Sequence, residues 1–473
     1  MGLPLLAGVG FNLSRGDSPR EDKFLKGLGK TNVLLITTDQ QFAGALSCAG
    51  NPWLRTPAMD RLASGGVRFE KVYCPNPICV PSRTAYMTGT HSHQTGVFYN
   101  RHTHEETLDK NRFPCLAQYF KTSGYRTGHF GKWHIPASLE DAEWSGFDSL
   151  GAMRDNEVDH DIVDSCVRFI DDCDDQPFFA VASFVNPHDI CEYARILSGI
   201  EDRLRNGELG SIPDISLMPE IPANFLPPRG EPTAIRDHYN DPKTGRVYPT
   251  RNWTARDSRW RQYLWGYYRM TEIVDRRIGQ LLDALEQRGL AENTVVALTS
   301  DHGDGMGCHN WNQKTMFYDQ CSRVPFILSA PFLGIEAGVD HTTLGQIGTD
   351  LFPTLLDAAG IAVPPSLQGI SLLGAARRKS DFVGHKFIVS QNNLQSQYGS
   401  PGQVNGRMLR SRRYKYVVYD GGDDREQLFD MELDPLETVD LSLEKASSSV
   451  LEEHRSLLKS WLREKKDDFK GLN

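Results

Sequence analysis

The sequence predicts an α/β protein: a large, mostly parallel mixed sheet sandwiched by helices, followed by a smaller C-terminal α+β subdomain with an antiparallel sheet. Three observations lead there. Short, nearly continuous apolar runs recur at 32–38, 177–185 and 294–300, as in strands buried on both faces, and each ends in polar residues. Segments of helical period separate them, and strands alternating with helices build a parallel sheet covered on both sides. From about Phe387 the pattern changes to short antiparallel signals, ending in a helix from about Ser447 to Lys465. The expected organisation is a flexible lead-in over 1–30, a main unit over 31–385 and a small unit over 386–473.

The elements follow in order. Asn32 to Thr38 forms the first strand and ends at Asp39-Gln40. A carboxylate and an amide past the carboxyl end of a buried parallel strand lie where open α/β sheets bind ligands, although Asp39 alone suits a solvated turn equally well. Asp60 to Gly66 reads as helix leading to a turn, and Val67 to Tyr73 as strand. Cys79 then heads a helix whose early turn contains Pro81, a residue suited to that place. Free N–H groups gather at such a start and favour an anion, while a buried structural cysteine is the plainer alternative. The histidines at 91, 93, 102 and 104 match no metal-ligand spacing and read as surface-loop residues. Phe113 to Ser123 is amphipathic. The stretch Gly124 to His134 runs from strand into turn, with Lys132 and His134 placed to share one side.

Asp161 to Asp172 reads as helix and Pro177 to Val185 as strand, the latter ending at Asn186-Pro187-His188-Asp189. Residues 190–257 carry eight prolines and little periodicity, the mark of an irregular rim or lid. A long packing helix spans about Arg259 to Arg288 through Leu264, Tyr267, Thr271, Val274, Ile278, Leu281 and Leu285. Thr294 to Ser300 repeats the logic of the first strand and ends in Asp301-His302-Gly303-Asp304. A glycine-rich loop with Cys308, His309 and Lys314 follows, then a strand over Val324 to Leu328 and a helix over Gly348 to Gly360.

Composition narrows the function classes. With 473 residues, 39% hydrophobic and 24% charged, the chain reads as a soluble globular protein of two or three structural units. A net charge of −9 argues against nucleic acid held by bulk charge, so an anionic substrate requires a local basic cluster. No stretch approaches the roughly 20 apolar residues of a membrane span. Nine cysteines without C-x-x-C pairs indicate neither a zinc site nor a dense disulfide framework; the eight besides Cys79 permit disulfides without showing them. The apolar run Leu3 to Phe11 lacks a basic n-region and a clear cleavage site. It suits an export remnant, hence a periplasmic or secreted protein, with a hydrophobic tail and a cytoplasmic location as the alternative. No segment speaks to the oligomeric state.

The strand ends at Asp39, Lys132, His188 and Asp301 are expected to open on one edge beside Cys79. Asp39, Gln40 and Asp301 offer hard oxygen donors suited to calcium or magnesium, and His302 leaves manganese open. The spacing C-x-P-S-R-x(4)-T-G from Cys79 to Gly89 is the signature of the type I sulfatases. N-V-L-L-I-T-T-D-Q, G-Y-R-T-G-H-F-G-K-W-H, N-P-H-D, T-S-D-H-G-D-G-M-G, D-L-F-P-T-L-L-D-A-A-G and L-F-D-M-E-L-D-P-L-E follow the family in order. From about residue 31 to 440 the chain resembles that family, within the alkaline-phosphatase-like superfamily.

The resemblance implies a sulfatase acting on a sulfate ester of a sugar or polysaccharide fragment. In that family the cysteine, here Cys79, is oxidised by a maturation enzyme to formylglycine, whose hydrate attacks sulfur. Asp39, Gln40, Asp301 and His302, with the modified Cys79, would hold one divalent cation, calcium foremost. Arg83 would support the hydrate, and Lys132 and Lys314 would neutralise sulfate oxygens. His134 would act as the base that restores the aldehyde, His188 would protonate the departing alcohol, and Asn100 would direct an amide at the transferred group. Gln40 and His302 depart from the commoner Asp and Asn, as in choline sulfatases and phosphonate monoester hydrolases. A phosphonate monoester or phosphodiester hydrolase or a choline-sulfatase-like enzyme, and a non-catalytic sulfated-glycan binder, are the competing readings. Specificity is expected in 190–257, in Tyr99 to His104, near Trp311 and in the C-terminal unit.

Overall fold

The computed structural model describes residues 31–100, 108–151, 159–200, 204, 209–240, 250, 253–394 and 404–472. Eight strands form one sheet: β1 (Asn32–Asp39), β2 (Val67–Tyr73), β3 (Arg126–Gly131), β4 (Ser149–Gly151), β5 (Phe178–Pro187), β6 (Thr294–Ser300), β7 (Phe326–Ser329) and β8 (Gly338–Gln346). Their order is β4-β3-β5-β1-β6-β7-β2-β8. β1 lies parallel between β5 and β6, whereas β7 runs against both of its neighbours, so the sheet is mixed as expected.

The principal helices are α1 (Pro57–Ser64), α2 (Cys79–Thr88), α3 (Leu116–Thr122), α4 (Asp159–Asp171), α5 (Ile190–Leu197), α6 (Thr233–Asn240), α7 (Ser258–Gln287), α8 (Ile347–Ala358) and α9 (Ser448–Lys465). The two-residue period of β1 divides them between layers. Val33 and Leu35 pack with Tyr86 of α2, Leu116 of α3 and Leu351 of α8. Leu34 and Ile36 face the other way, onto Met59 of α1, Ile162 of α4 and Val274 and Ile278 of α7. A parallel strand buried on both sides has no room for polar side chains, hence its continuous apolar run.

The second sheet consists of β9 (Phe387–Asn393), β10 (Asn405–Ser411), β11 (Tyr414–Tyr419) and β12 (Glu426–Asp430), antiparallel in the order β12-β11-β10-β9. Leu409, Tyr416, Val418 and Leu428 pack on Leu458 and Trp461 of α9. Met408, Val417 and Phe429 face the opposite way, onto Phe317, Tyr318 and Ile235 of the main unit.

Three local readings change. The stretch 190–257 contains α5 and α6, and Ile190, Cys191, Tyr193 and Ala194 pack against Trp260, Tyr263 and Leu264 of α7. The prolines lie outside these two helices and masked their short periodic runs. Strands β4 and β8 form the sheet's edges and are half exposed, so neither carries an apolar run. His91 is buried against Trp461, ring centroids 5.2 Å apart, and His93 hydrogen-bonds Gln391 and the Lys465 carbonyl, so these two are interface residues. His102 and His104 lie outside the described residues. His134, at φ +53°, lies in the turn expected after β3.

Candidate active site

Helix α2 starts at Cys79 because Ile78 is extended, at φ −145° and ψ 141°, and Gly89 closes it at φ +66°. Every residue of α2 is buried, including the Arg83 guanidinium. Burial of a charge demands partners, and this one has four. Arg83 Nε donates to Asp301 Oδ2 at 2.8 Å and Nη2 to Asp39 Oδ2 at 3.1 Å. Nη1 donates to the Lys132 carbonyl and to Ser183 Oγ, both at 2.9 Å.

With its Oδ2 atom engaged, each carboxylate keeps Oδ1 on the side of His302. His302 Nε2 lies 4.0 Å from Asp39 Oδ1 and 3.7 Å from Asp301 Oδ1. The Gly303 carbonyl, 2.8 Å from His302 Nδ1, can only accept, which places a proton on Nδ1 and aims Nε2 at Cys79 Sγ, 3.1 Å away. Ligand atoms of Asp39, Cys79, Asp301 and His302 all lie within 4.8 Å of one another. Burial raises the Asp301 pKa, and the facing Asp39 raises it further. Burial lowers that of His302, but Asp301 and Cys79 outweigh it and lift the imidazole above its ordinary value. This spot favours added positive charge, and two carboxylates with one imidazole fit a divalent cation.

Gln40, also named as a ligand, sits at φ +70°. Its backbone N–H donates to Asp301 Oδ1 at 3.1 Å, and its amide Nε2 donates to Asp304 Oδ2 at 2.8 Å. The Tyr267 hydroxyl donates to its carbonyl at 2.6 Å.

The basic groups close over Cys79 from three segments. Lys314 Nζ donates to Cys79 Sγ at 2.9 Å, and Lys132 Nζ pairs with Asp39 Oδ2 at 2.7 Å. His134 hydrogen-bonds Cys79 out of its turn. Burial and Asp39 push the Cys79 thiol up, yet Lys314, Lys132 and His302 overcome both and hold it well below its usual range. Asp39 is likewise depressed: burial raises it, but Lys132, His188, Arg83 and Lys314 more than offset that. His188 follows β5 and faces these charges, with its own pKa well below normal through burial and Lys132. Asn100 accepts from the Val80 N–H at 3.1 Å and places Nδ2 4.0 Å from Cys79 Sγ. All eleven residues singled out in the sequence therefore belong to one neighbourhood.

Sequence reasoning missed the residues that brace it. Ser183 Oγ donates to the Lys132 carbonyl at 2.7 Å and accepts from Thr37 Oγ1 at 3.0 Å. Thr37 and Ser183 are register partners of β1 and β5, and two polar residues inside apolar strands were the available signal. Asp304 accepts from Gln40, from the Tyr263 hydroxyl at 2.7 Å and from the Gln313 N–H at 3.1 Å.

A family model described as Sulfatase matches residues 31–361 of this chain. The chain belongs to the sulfatase family. It is accordingly a sulfuric ester hydrolase. A second model, described as N-sulphoglucosamine sulphohydrolase, C-terminal, matches residues 307–465 of this sulfatase. Among curated proteins, a Delta 4,5-hexuronate-2-O-sulfatase of Bacteroides thetaiotaomicron is 32% identical, over 94% of this chain and 91% of that protein. An N-acetylglucosamine-6-O-sulfatase of the same organism is 26% identical, over 93% and 87%. Among solved structures, a 2-O GAG sulfatase superposes with a TM-score of 0.74 at 31% identity, covering 93% of both chains. Within this sulfatase, the matched region of the first model contains every residue of the Cys79 neighbourhood.

Proposed function

We propose that this sulfatase removes sulfate from a sulfated saccharide, using a formylglycine made from Cys79 and one divalent cation held by Asp39, Gln40, Asp301 and His302. The observation that carries the reading is the Lys314–Cys79–His302 contact: one fully buried side chain at a helix start, with an ammonium 2.9 Å away and an imidazole nitrogen 3.1 Å away. Cys79 Sγ marks where the oxygens of an oxidised, hydrated residue 79 project. The family and its sugar-specific relatives support the sulfate ester and the saccharide. The hard donor set supports calcium, with manganese or magnesium as alternatives.

When bound, the cation supplies Lewis acidity and lowers the pKa of a hydroxyl at residue 79. The side chains do the rest. Lys132 and Lys314 neutralise sulfate oxygens as charge builds on them, inside a site shielded from water. Arg83 keeps Asp39 and Asp301 fixed. His134 accepts a proton from residue 79 at the side where it already hydrogen-bonds that residue. His188, its pKa held down by burial and Lys132, gains basicity beside the anionic ester, and its protonated form hands a proton to the leaving oxygen. Asn100 Nδ2 directs its donor at the transferred group.

A maturation enzyme that oxidises Cys79 is part of this reading, as is export, which the apolar run Leu3 to Phe11 supports. So is a division into a catalytic unit over 31–385, in which 190–257 forms a substrate rim, and a C-terminal unit over 386–473. The test compares turnover of matched aryl sulfate and aryl phosphonate esters, then of defined sulfated saccharides. Preference for the sulfate and release of sulfate from a saccharide are expected. Faster phosphonate cleavage would overturn the choice of ester, and failure on every saccharide would overturn the substrate class.

A further inference from the structure

The loop that presents Lys314 runs against its own backbone preferences. Gln313 has φ of +64° and Thr315 φ of +90°, and a β-branched residue in that region is strained. Such a conformation persists only where its surroundings over-determine it. At Thr315 two contacts do so. Its N–H donates to the Pro77 carbonyl at 2.8 Å, and its carbonyl accepts from Asn392 Nδ2 at 2.7 Å. Pro77 precedes Cys79 by two residues. Asn392 belongs to β9, in the other sheet.

The same strand holds the approach to Cys79. Ser390 Oγ donates to the Cys74 carbonyl at 2.6 Å, and the Gln391 N–H to the Pro75 carbonyl at 2.8 Å. One strand thus grips the backbone ahead of Cys79 and behind Lys314. Space for this reach is built in: Gly406 of β10 is the register partner of Asn392, and a Cβ on it would fall 2.3 Å from Asn392 Oδ1. Asn392 itself is fully buried and carries no charge.

We infer that Asn392 is a positioning residue for Lys314: by holding Thr315 in its strained conformation, it fixes the ammonium over residue 79. The inference rests on the reading of Lys314 as the group that meets the sulfate. Without the Asn392 donor, 313–315 relaxes toward negative φ, and the ammonium leaves its 2.9 Å contact with Cys79. Asn392 touches no reacting atom, so its effect on the reaction is read through the position of Lys314.

The experiment measures kcat, KM and competitive inhibition by inorganic sulfate, with thermal midpoints alongside, for full-length, Cys79-matured wild type, Asn392→Leu, Lys314→Ala and the double variant. Asn392→Ser, whose hydroxyl is too short to span the contact, serves in place of Asn392→Leu should the latter not fold. Each single variant is expected to weaken sulfate inhibition and kcat/KM about 10-fold or more. The double variant should be no worse than Lys314→Ala, because both changes remove the same contact. A purely structural role would lower the midpoint, leave the sulfate inhibition constant of the folded enzyme unchanged, and add in full to Lys314→Ala. Either result overturns the inference while Lys314→Ala remains impaired. Undiminished sulfate inhibition in Lys314→Ala itself would sink the reading of Lys314 and this inference with it.

Discussion

At Cys79 the ammonium groups of Lys314 and Lys132 and the imidazole of His302 favour an anion and hold an unmodified thiol well below its usual range. A thiolate and a hydrated aldehyde are chemically distinct, and a thiol count separates them. Protein denatured in the presence of a thiol reagent should titrate eight cysteines when residue 79 is converted and nine when it is not, since all nine are free. Cys79→Ala should abolish turnover. Lys132→Ala removes the cation 2.7 Å from Asp39 and one neutralising group for the ester, so kcat/KM should fall about 10²–10³-fold in steady-state assays. Asp39, His188 and Asp301 were legible in the sequence because each follows an apolar run, Lys132 because it closes a strand that runs into a turn, and Cys79 because it heads a helix. Ser183 and Asp304 were not, because their partners come from distant segments that only the fold brings together.

Among the elements, β5 shows how a strand end is held for chemistry. Asp159, at the start of α4, accepts from the N–H groups of Val185 and Asn186 and from Asn186 Nδ2, just ahead of His188. Asp159→Ala would leave these buried donors without their acceptor, at a cost of about 1–3 kcal/mol. Urea unfolding should show that loss, and kcat should fall with it because His188 loses its frame. The central strands β1, β5 and β6 were readable from composition. The edge strand β8 was not: only its second half is buried, and its exposed half carries Asp340, His341 and Thr342.

The whole molecule depends on buried ion pairs in and beside the second sheet. Arg407 of β10 grips Asp467 with Nε and Nη2 at 2.7 and 2.8 Å, and Gln391 of β9 donates to the same carboxylate. Both charged groups are buried, so Arg407→Ala strands Asp467 and should cost about 3–5 kcal/mol in denaturant titration. His385, just ahead of β9, pairs with Asp350 of α8 at 2.9 Å. Burial lowers its pKa, but the hydrogen bond and charge of Asp350 outweigh that and raise it above 6.5. The sign follows: a raised histidine contributes stability that is complete below its unfolded pKa and is lost as pH rises through its folded pKa. The wild type should therefore lose stability relative to His385→Asn as pH rises from below the ordinary histidine range through the raised folded pKa, measured by thermal midpoints.

The grip of β9 on the segments around Cys79 and Lys314 also imposes an order in time. Cys79 leaves the ribosome roughly 300 residues before Asn392, which at 5–20 residues per second is about 15–60 s. Until Asn392 emerges, β9 cannot hold the Lys314 loop, and residue 79 lacks the enclosure of the folded protein. Once both arrive, its side chain is fully enclosed. Slower translation between these two points would lengthen the interval and faster translation would shorten it. If Cys79 is converted as proposed, the synonymous codons that set this pace would set how long residue 79 stays open to that conversion.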